Sequence, residues 1–292
     1  MPRIAVTGTT GRVGRALARR LATDHEVIEL PRTDWDFSDP STVERVGGLG
    51  FDLLVHPAAV TSLERCEEEP ELARRVNAEA PAALAALCRR HGAAMIHFST
   101  DYVLEGSSPG LRDESAAVGP LSEYARTKLA GEEAVLAGGG CVLRVSWVHG
   151  PERPAFPEQV VGRALAGQPL AAIDDKFSLP CHTGDLAEWV AELIDRGPGN
   201  ELLHACNPGE PVSWKDMAEW VVEIMLEREA IPGRPEMIAQ HLDEVPFFKV
   251  RRPRHTAMAT GRLAQRLGRP LRPWQEAMRE HVTVLLDDLL SR

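Results

Sequence analysis

Tyrosine is almost missing from this chain: 292 residues hold two, Tyr102 and Tyr124. Long apolar runs are missing too. The first apolar stretch, Ile4-Ala5-Val6, is far too short for a signal peptide or a membrane span, so a cytoplasmic protein with no membrane partner is expected. Basic residues are outnumbered, 33 against 43 acidic, for a net charge of −10. That balance argues against nucleic acid or an anionic membrane as a partner, since both need a basic surface. It leaves room for one local basic patch, Lys249, Arg251, Arg252 and Arg254. The five cysteines are scattered without a CxxC pair, which fits a reducing compartment and no disulfide framework. Ten histidines show no HxH or HxxxH spacing, so no metal site is expected. There is no internal repeat and no low-complexity segment.

What is present is ordinary for a globular enzyme: 43% hydrophobic and 26% charged residues, in a chain long enough to bury a full core. The first half alternates short apolar runs with amphipathic stretches. Strands are expected at Arg3–Thr7, Glu26–Leu30, Asp52–His56, Ala94–Ser99 and Cys141–Val145. Helices are expected at Arg12–Ala22, Ser41–Val46, Pro70–His91 (interrupted near Pro81) and Ser122–Ala137. Parallel strands need such crossovers, so the fold class is α/β, a parallel sheet covered by helices on both faces, with the second half a smaller lobe interleaved with the last elements of the sheet. Prolines crowd in after Trp147. Helices are expected at Glu158–Ala166, Asp185–Ile194, Trp214–Arg228, Gly261–Leu267 and Trp274–Leu290, a strand at Leu202–Ala205, and loops over Ile231–His255.

The first strand runs into Gly8-Thr9-Thr10-Gly11-Arg12-Val13-Gly14. Glycines at these spacings allow a tight strand-to-helix turn and close approach of a pyrophosphate, which the helix N-terminus attracts. Gly8, Thr10, Gly11, Arg12, Val13 and Gly14 are therefore cofactor candidates. The end of the second strand should meet the adenosine ribose. Arg32 there favours the 2′-phosphate of NADP, while Glu29 keeps NAD open. Asp36 and Phe37 are placed to flank the adenine. Ser99-Thr100-Asp101-Tyr102 closes a strand at its carboxyl end, where ligands gather in open α/β sheets. Tyr124 and Lys128, four apart on a helix, share a face. A neighbouring ammonium lowers a phenol's pKa towards the range where it can move protons, although a YxxxK string is also a common surface pair.

The ordered set of these motifs resembles an extended short-chain dehydrogenase/reductase, within it the dTDP-4-dehydrorhamnose reductase family. Further segments that carry the resemblance are Ala58-Ala59-Val60-Thr61, Glu69-Pro70-Glu71-Leu72-Ala73, Val76-Asn77, Leu129-Ala130-Gly131-Glu132, Ser146-Trp147-Val148 and Asp174-Asp175. The resemblance implies a Rossmann doubly wound parallel sheet with a smaller C-terminal substrate lobe: residues 1–148 as the NAD(P)-binding domain and 149–292 mainly as the substrate lobe, with 185–205 returning to the Rossmann domain. It also implies NAD(P)H-dependent reduction of a nucleotide-activated 4-keto-6-deoxysugar, with Thr100, Tyr124 and Lys128 as catalytic residues. Tyr124 would give its proton to the ketone oxygen, and Lys128 would also hold the nicotinamide ribose. Ala58, Ala59 and Thr61 would lie along the cofactor, and Asp101, Tyr102 and Trp147 would line the sugar pocket.

Departures fall on the substrate side. His56 stands where the family usually has Asn, His149-Gly150-Pro151 where it has Tyr-Gly-Pro, and Lys176 where it has Gln. Ala16 replaces a Glu through which some relatives bridge a dimer by a metal, so no such metal is expected; a homodimer stays open. Two other readings stay open as well: a non-catalytic regulator like the regulatory subunit of methionine adenosyltransferase, and a sugar-nucleotide epimerase. Trp214, Trp220 and Trp274 read as core anchors, and Arg251–His255 as either a diphosphate site or a solvated loop.

Overall fold

The computed structural model describes residues 1–246 and 248–291. Alternation along the early strands organises it. In β1 (Arg3–Thr7), Ile4 and Val6 enter one core while Ala5 enters a second on the opposite face. Period-two side-chain direction sends residues to both faces, and both faces here are apolar, so helices must cover both. The chain supplies them in turn: α1 (Arg12–Leu21), β2 (Glu26–Leu30), α2 (Ser41–Gly47), β3 (Leu53–His56), α3 (Leu63–Glu68), α4 (Pro70–Arg74), α5 (Ala80–His91), β4 (Ala94–Thr100), α6 (Glu123–Ala137) and β5 (Cys141–Val145).

The break expected near Pro81 in the long helical stretch before β4 takes the form of a π-helical turn over Arg75–Glu79. Pro81 sits in the first turn of α5. Having no N–H, it leaves the carbonyl four residues back, that of Asn77, without its α-helical partner, and the backbone widens around that position. The Asn77 carbonyl then packs against Gly131 of α6, where a Cβ would lie 2.2 Å from its oxygen. The Asn77 side chain accepts from Val60 N at 2.9 Å and donates to Val60 O at 3.0 Å, so the same turn fixes the loop after β3.

The second half continues with β6 (Val148–His149), α7 (Phe156–Leu165), β7 (Leu170–Ile173), β8 (Phe177–Ser178), β9 (Cys181–His182), α8 (Thr183–Asp195) and β10 (Leu202–His204). After these come β11 (Val212–Ser213), α9 (Trp214–Glu227), β12 (Met237–Gln240), α10 (Gly261–Leu267) and α11 (Trp274–Leu290). β10 joins the main sheet beside β5, and α8 packs on α1. The six-stranded sheet has the order β10-β5-β4-β3-β1-β2, all parallel. Strand order reverses between β1 and β3, and a crevice opens at the carboxyl ends there. β12 lies inside the stretch expected to be loops; its order comes from parallel pairing with β7, a partner that local sequence does not reveal. All five cysteines are buried and free. No described helix is long and apolar enough to cross a membrane.

Candidate active site

The crevice is a cleft of about 970 Å³ whose wall includes the glycine turn, Arg32, Asp36, Phe37, Ala58, Ala59, Thr61, Thr100, Asp101, Tyr102, Tyr124, Lys128 and Trp147, but not Glu29 or the Arg251–His255 segment. At its floor, Gly8 takes a left-handed φ of +61° and receives α1's turn: Gly11 N donates to Gly8 O at 2.8 Å. A Cβ on Gly14 would lie 2.3 Å from that same oxygen, so only glycine fits. Gly8 in turn faces Ala58, whose Cα a Cβ there would meet at 3.1 Å. The first turn of α1 has no acidic residue and no side-chain cap, which leaves its N–H groups to the cleft and suits an anion. The Arg12 guanidinium is already used: it donates to Val148 O at 2.8 Å and Pro154 O at 2.9 Å, clamping the glycine turn to the segment after β5. What Arg12 offers a phosphate is its backbone.

At one end of the cleft stand Arg32, Trp35, Asp36, Phe37 and Arg65. Arg32 is exposed and makes no hydrogen bond among the described residues, while Phe37 is buried edge-on against His56. Trp35 and Arg65 were not foreseen. His56, in the family's Asn position, shares a hydrogen bond with Thr7 Oγ1 at 2.9 Å, and Ala58 N donates to the same hydroxyl at 3.2 Å. Burial, aided by the Lys128 charge, lowers the His56 pKa to about 3, so it serves as a neutral tie between the ends of β1 and β3.

At the other end, the hydroxyl of Ser122 caps α6 by accepting from Ala125 N, which starts the helix in register to present Tyr124 and Lys128. Lys128 is buried. Its ammonium donates to Phe98 O at 2.5 Å and lies 3.3 Å from His97 Nε2. Burial lowers its pKa to about 8, against the opposing pull of Glu132. The expectation that Lys128 draws the Tyr124 phenol down is not met in this arrangement. Burial pushes the phenol up and the Thr100 hydroxyl opposes, while the Lys128 ammonium is held by the Phe98 carbonyl and His97. A phenol so raised stays protonated at neutral pH, the state a proton donor needs.

The sign of the lysine shift sets a pH profile. The ammonium is present below about 8 and lost above it, so its contribution falls as pH rises through that value. The alkaline limb of kcat/KM should lie near pH 8 and persist in Lys176→Gln, a control needed because Lys176 also titrates near 8. A limb at the ordinary lysine value would count against this assignment.

Thr100 donates to Asp101 Oδ1 at 3.2 Å and accepts from Tyr102 N at 3.3 Å. The Asp101 carboxylate is itself enclosed, accepting from Ser178 at 3.1 Å and from Thr256. Lys176 is fully buried, with Nζ 4.8 Å from the Tyr102 ring centre and 5.5 Å from that of Trp147. An ammonium between two aromatic faces holds both walls by cation–π attraction. Trp147 has a φ of +40°, a strained value for a bulky residue, and its buried Nε1 has no partner among the described residues.

Two expectations change. Of the basic patch, Arg252 pairs with Glu64 at 2.8 Å, and Arg254 pairs with Asp175 at 3.0 Å and Asp243 at 2.7 Å. These guanidiniums are neutralised by acids distant in sequence. Trp214 is more than an anchor: with Trp147 and Phe156 it lines a second, apolar cavity of about 250 Å³ beside the cleft.

Residues 2–286 match the family described as the RmlD substrate binding domain. The chain is 33% identical over 291 residues to a dTDP-4-dehydrorhamnose reductase of Mycolicibacterium smegmatis, covering 97% of this chain and 86% of that one. It is 35% identical over 289 residues to one from Mycobacterium tuberculosis, covering 94% and 91%. Among solved structures, a dTDP-4-dehydrorhamnose reductase from Clostridium acetobutylicum superposes with a TM-score of 0.87 at 26% identity, over 97% of this chain and 99% of that one.

Proposed function

The chain belongs to the RmlD substrate binding domain family, and from that premise we propose that it is an NADPH-dependent reductase of a dTDP-linked 4-keto-6-deoxysugar. The observation that carries this reading is the meeting, in one cleft, of the glycine turn with Thr100, Tyr124 and Lys128. The residues present fit a dinucleotide: a cradle at Gly8 and Gly14 that a Cβ would fill, and the uncapped first turn of α1. Gly8, Thr10, Gly11, Val13 and Gly14 would hold the pyrophosphate, with Ala58, Ala59 and Thr61 alongside. Arg32, Asp36 and Phe37 would receive the adenosine. Residues 1–148 together with 185–205 serve this cofactor, and the rest of 149–292 serves the sugar nucleotide.

When bound, the nicotinamide supplies hydride to the carbonyl carbon. The chain's own work is on the oxygen. Tyr124 holds its proton at neutral pH and donates it as negative charge grows there. Thr100 stands beside the phenol, and its single hydroxyl proton, which Asp101 accepts in this structure, would turn to the carbonyl oxygen to polarise it. Lys128 places a positive charge beneath both and orients the nicotinamide ribose. Tyr102 and Trp147, backed by Lys176, enclose the sugar and exclude water. The direct test is NADPH oxidation by the purified chain with dTDP-4-dehydrorhamnose; no turnover with this or any other nucleotide ketosugar would refute the reading.

Cofactor choice gives a second test. A charge-assisted hydrogen bond contributes about 1.5–3 kcal/mol, and the exposure of Arg32 places it at the lower end. Arg32→Ala should therefore weaken NADPH about tenfold in a calorimetric titration and leave NADH nearly unchanged. Equal losses would make Arg32 a surface residue.

A further inference from the structure

One carboxylate on the cleft wall is almost closed off from water. Asp101 is 2% exposed and is met by three hydroxyls: Thr100 at 3.2 Å on one oxygen, Ser178 at 3.1 Å and Thr256 on the other. An ionised carboxylate only accepts, so all three hydroxyls can point inward at once. A protonated one must itself donate, and one of the three has to turn away. The place of Thr100 thus depends on the charge of Asp101, and a buried charge needs a counter-charge. We propose that Lys176 is that counter-charge, and so a positioning residue that acts on Thr100 through Thr256 and Asp101.

Lys176 directly precedes β8 and is fully buried. Its Nζ lies 3.5 Å from Thr256 Oγ1, and an ammonium has donors only. Thr256 must therefore accept from it, which leaves the single Thr256 hydroxyl proton for Asp101 Oδ2. Thr256 is itself fixed beside β8, its N donating to Phe177 O at 2.9 Å. Donation runs one way along this chain, from Lys176 to Thr256 to Asp101, and such chains strengthen their members. Thr100 joins at the other carboxylate oxygen. Two other cations of the site are engaged elsewhere: Arg252 pairs with Glu64 at 2.8 Å, and Lys128 donates to Phe98 O at 2.5 Å. The cation–π contacts of Lys176 brace Tyr102 and Trp147; the hydrogen-bonded chain sets a charge.

The electrostatics agree. Burial raises the Asp101 carboxyl, and Lys176 leads the groups that oppose the rise. Burial lowers Lys176 to about 8, against the pull of Asp101, so the ammonium is present at neutral pH. Tyr102, Tyr124 and Cys206 also face Asp101, and burial raises all three, which keeps them neutral there. Arg252 and His255 face Lys176, and burial lowers His255, so it adds no charge at neutral pH.

Only the kinetic consequence rests on the reductase reading; the ionisation of Asp101 is measured on the full chain without substrate. Infrared spectra are taken from pH 8 to pH 5, each read against the same protein carrying Asp101→Asn. Wild type should show no protonated Asp101 band at pH 7, and in Lys176→Gln the band should appear at least about one pH unit higher than in wild type. Lys176→Met, of similar length, makes the same comparison if the glutamine variant does not fold. With NADPH and dTDP-4-dehydrorhamnose, Lys176→Gln should lower kcat at pH 7 at least about tenfold and leave NADPH affinity unchanged. Its acidic limb of kcat should move up with the band, because a carboxyl without its counter-charge takes its proton at higher pH. Adding Asp101→Asn should remove that limb. A lysine that only braced the aromatic walls would raise KM for the sugar and leave limb and band in place. A protonated wild-type band at pH 7, an unmoved band in the Lys176 variants, or an unmoved acidic limb would each overturn the assignment. An inactive wild type that gave the expected bands would refute the reductase reading and still support the Lys176–Asp101 pairing.

Discussion

Tyr124→Phe should lower kcat by roughly 10²–10⁴-fold, the usual contribution of a positioned acid, while leaving NADPH affinity unchanged. The phenylalanine keeps the ring that packs edge-on against Tyr102, with centres 6.1 Å apart, so the fold loses little. What disappears is the phenol hydroxyl that burial keeps protonated beside Thr100 at the end of the cleft. Lys128→Ala should behave differently and harm both turnover and cofactor binding. Its ammonium bridges the Phe98 carbonyl and His97, and removing it leaves those buried groups unpaired beneath the site. Steady-state kinetics together with a calorimetric titration separates the two patterns. A Tyr124→Phe variant with near wild-type turnover would sink the reductase mechanism and revive the regulator reading.

Much of this architecture is legible in local residue order, because local order is where its causes lie. The β1, β2 and β5 bounds follow from short apolar runs, and those runs lie in strands whose residues alternate between two cores. The turn at Gly8–Gly14 is readable because a positive φ and a close backbone approach leave only glycine. Four-residue spacing puts Tyr124 and Lys128 on one helical face, but it says nothing of where the ammonium goes. That depends on the Phe98 carbonyl and His97, both on β4, while burial raises the phenol rather than lowering it. The same holds for Arg252 and Arg254, a basic patch by composition that Glu64, Asp175 and Asp243 neutralise from elsewhere in the chain. Lys176 reads as a mere departure until folding buries it between Tyr102 and Trp147. Pairwise spacing sees what one element does; charge balance and ligand sets are properties of several.

Gly131→Ala should destabilise the protein by about 1–3 kcal/mol, although helix propensity alone predicts a gain of up to about 1 kcal/mol. Gly131 lies inside α6, and a Cβ there would sit 2.2 Å from the Asn77 carbonyl oxygen, which is backbone and cannot rotate aside. Either α6 or the π-helical turn must move. Both carry the site: α6 presents Tyr124 and Lys128, and Asn77 holds Val60 in the loop that lines the cleft. A shift of about 1 Å in a reacting group typically costs on the order of 10²-fold in rate, so turnover should fall by about that much even where the chain stays folded. Gly162→Ala supplies the control. It also lies inside a helix, α7, but a Cβ there meets nothing within 4 Å, so it should stabilise by a few tenths to about 1 kcal/mol. Paired thermal melts and activity assays therefore expect opposite signs from one chemical change at two helical glycines. Equal stabilisation by the two would show that the contact between Asn77 and Gly131 does not position α6.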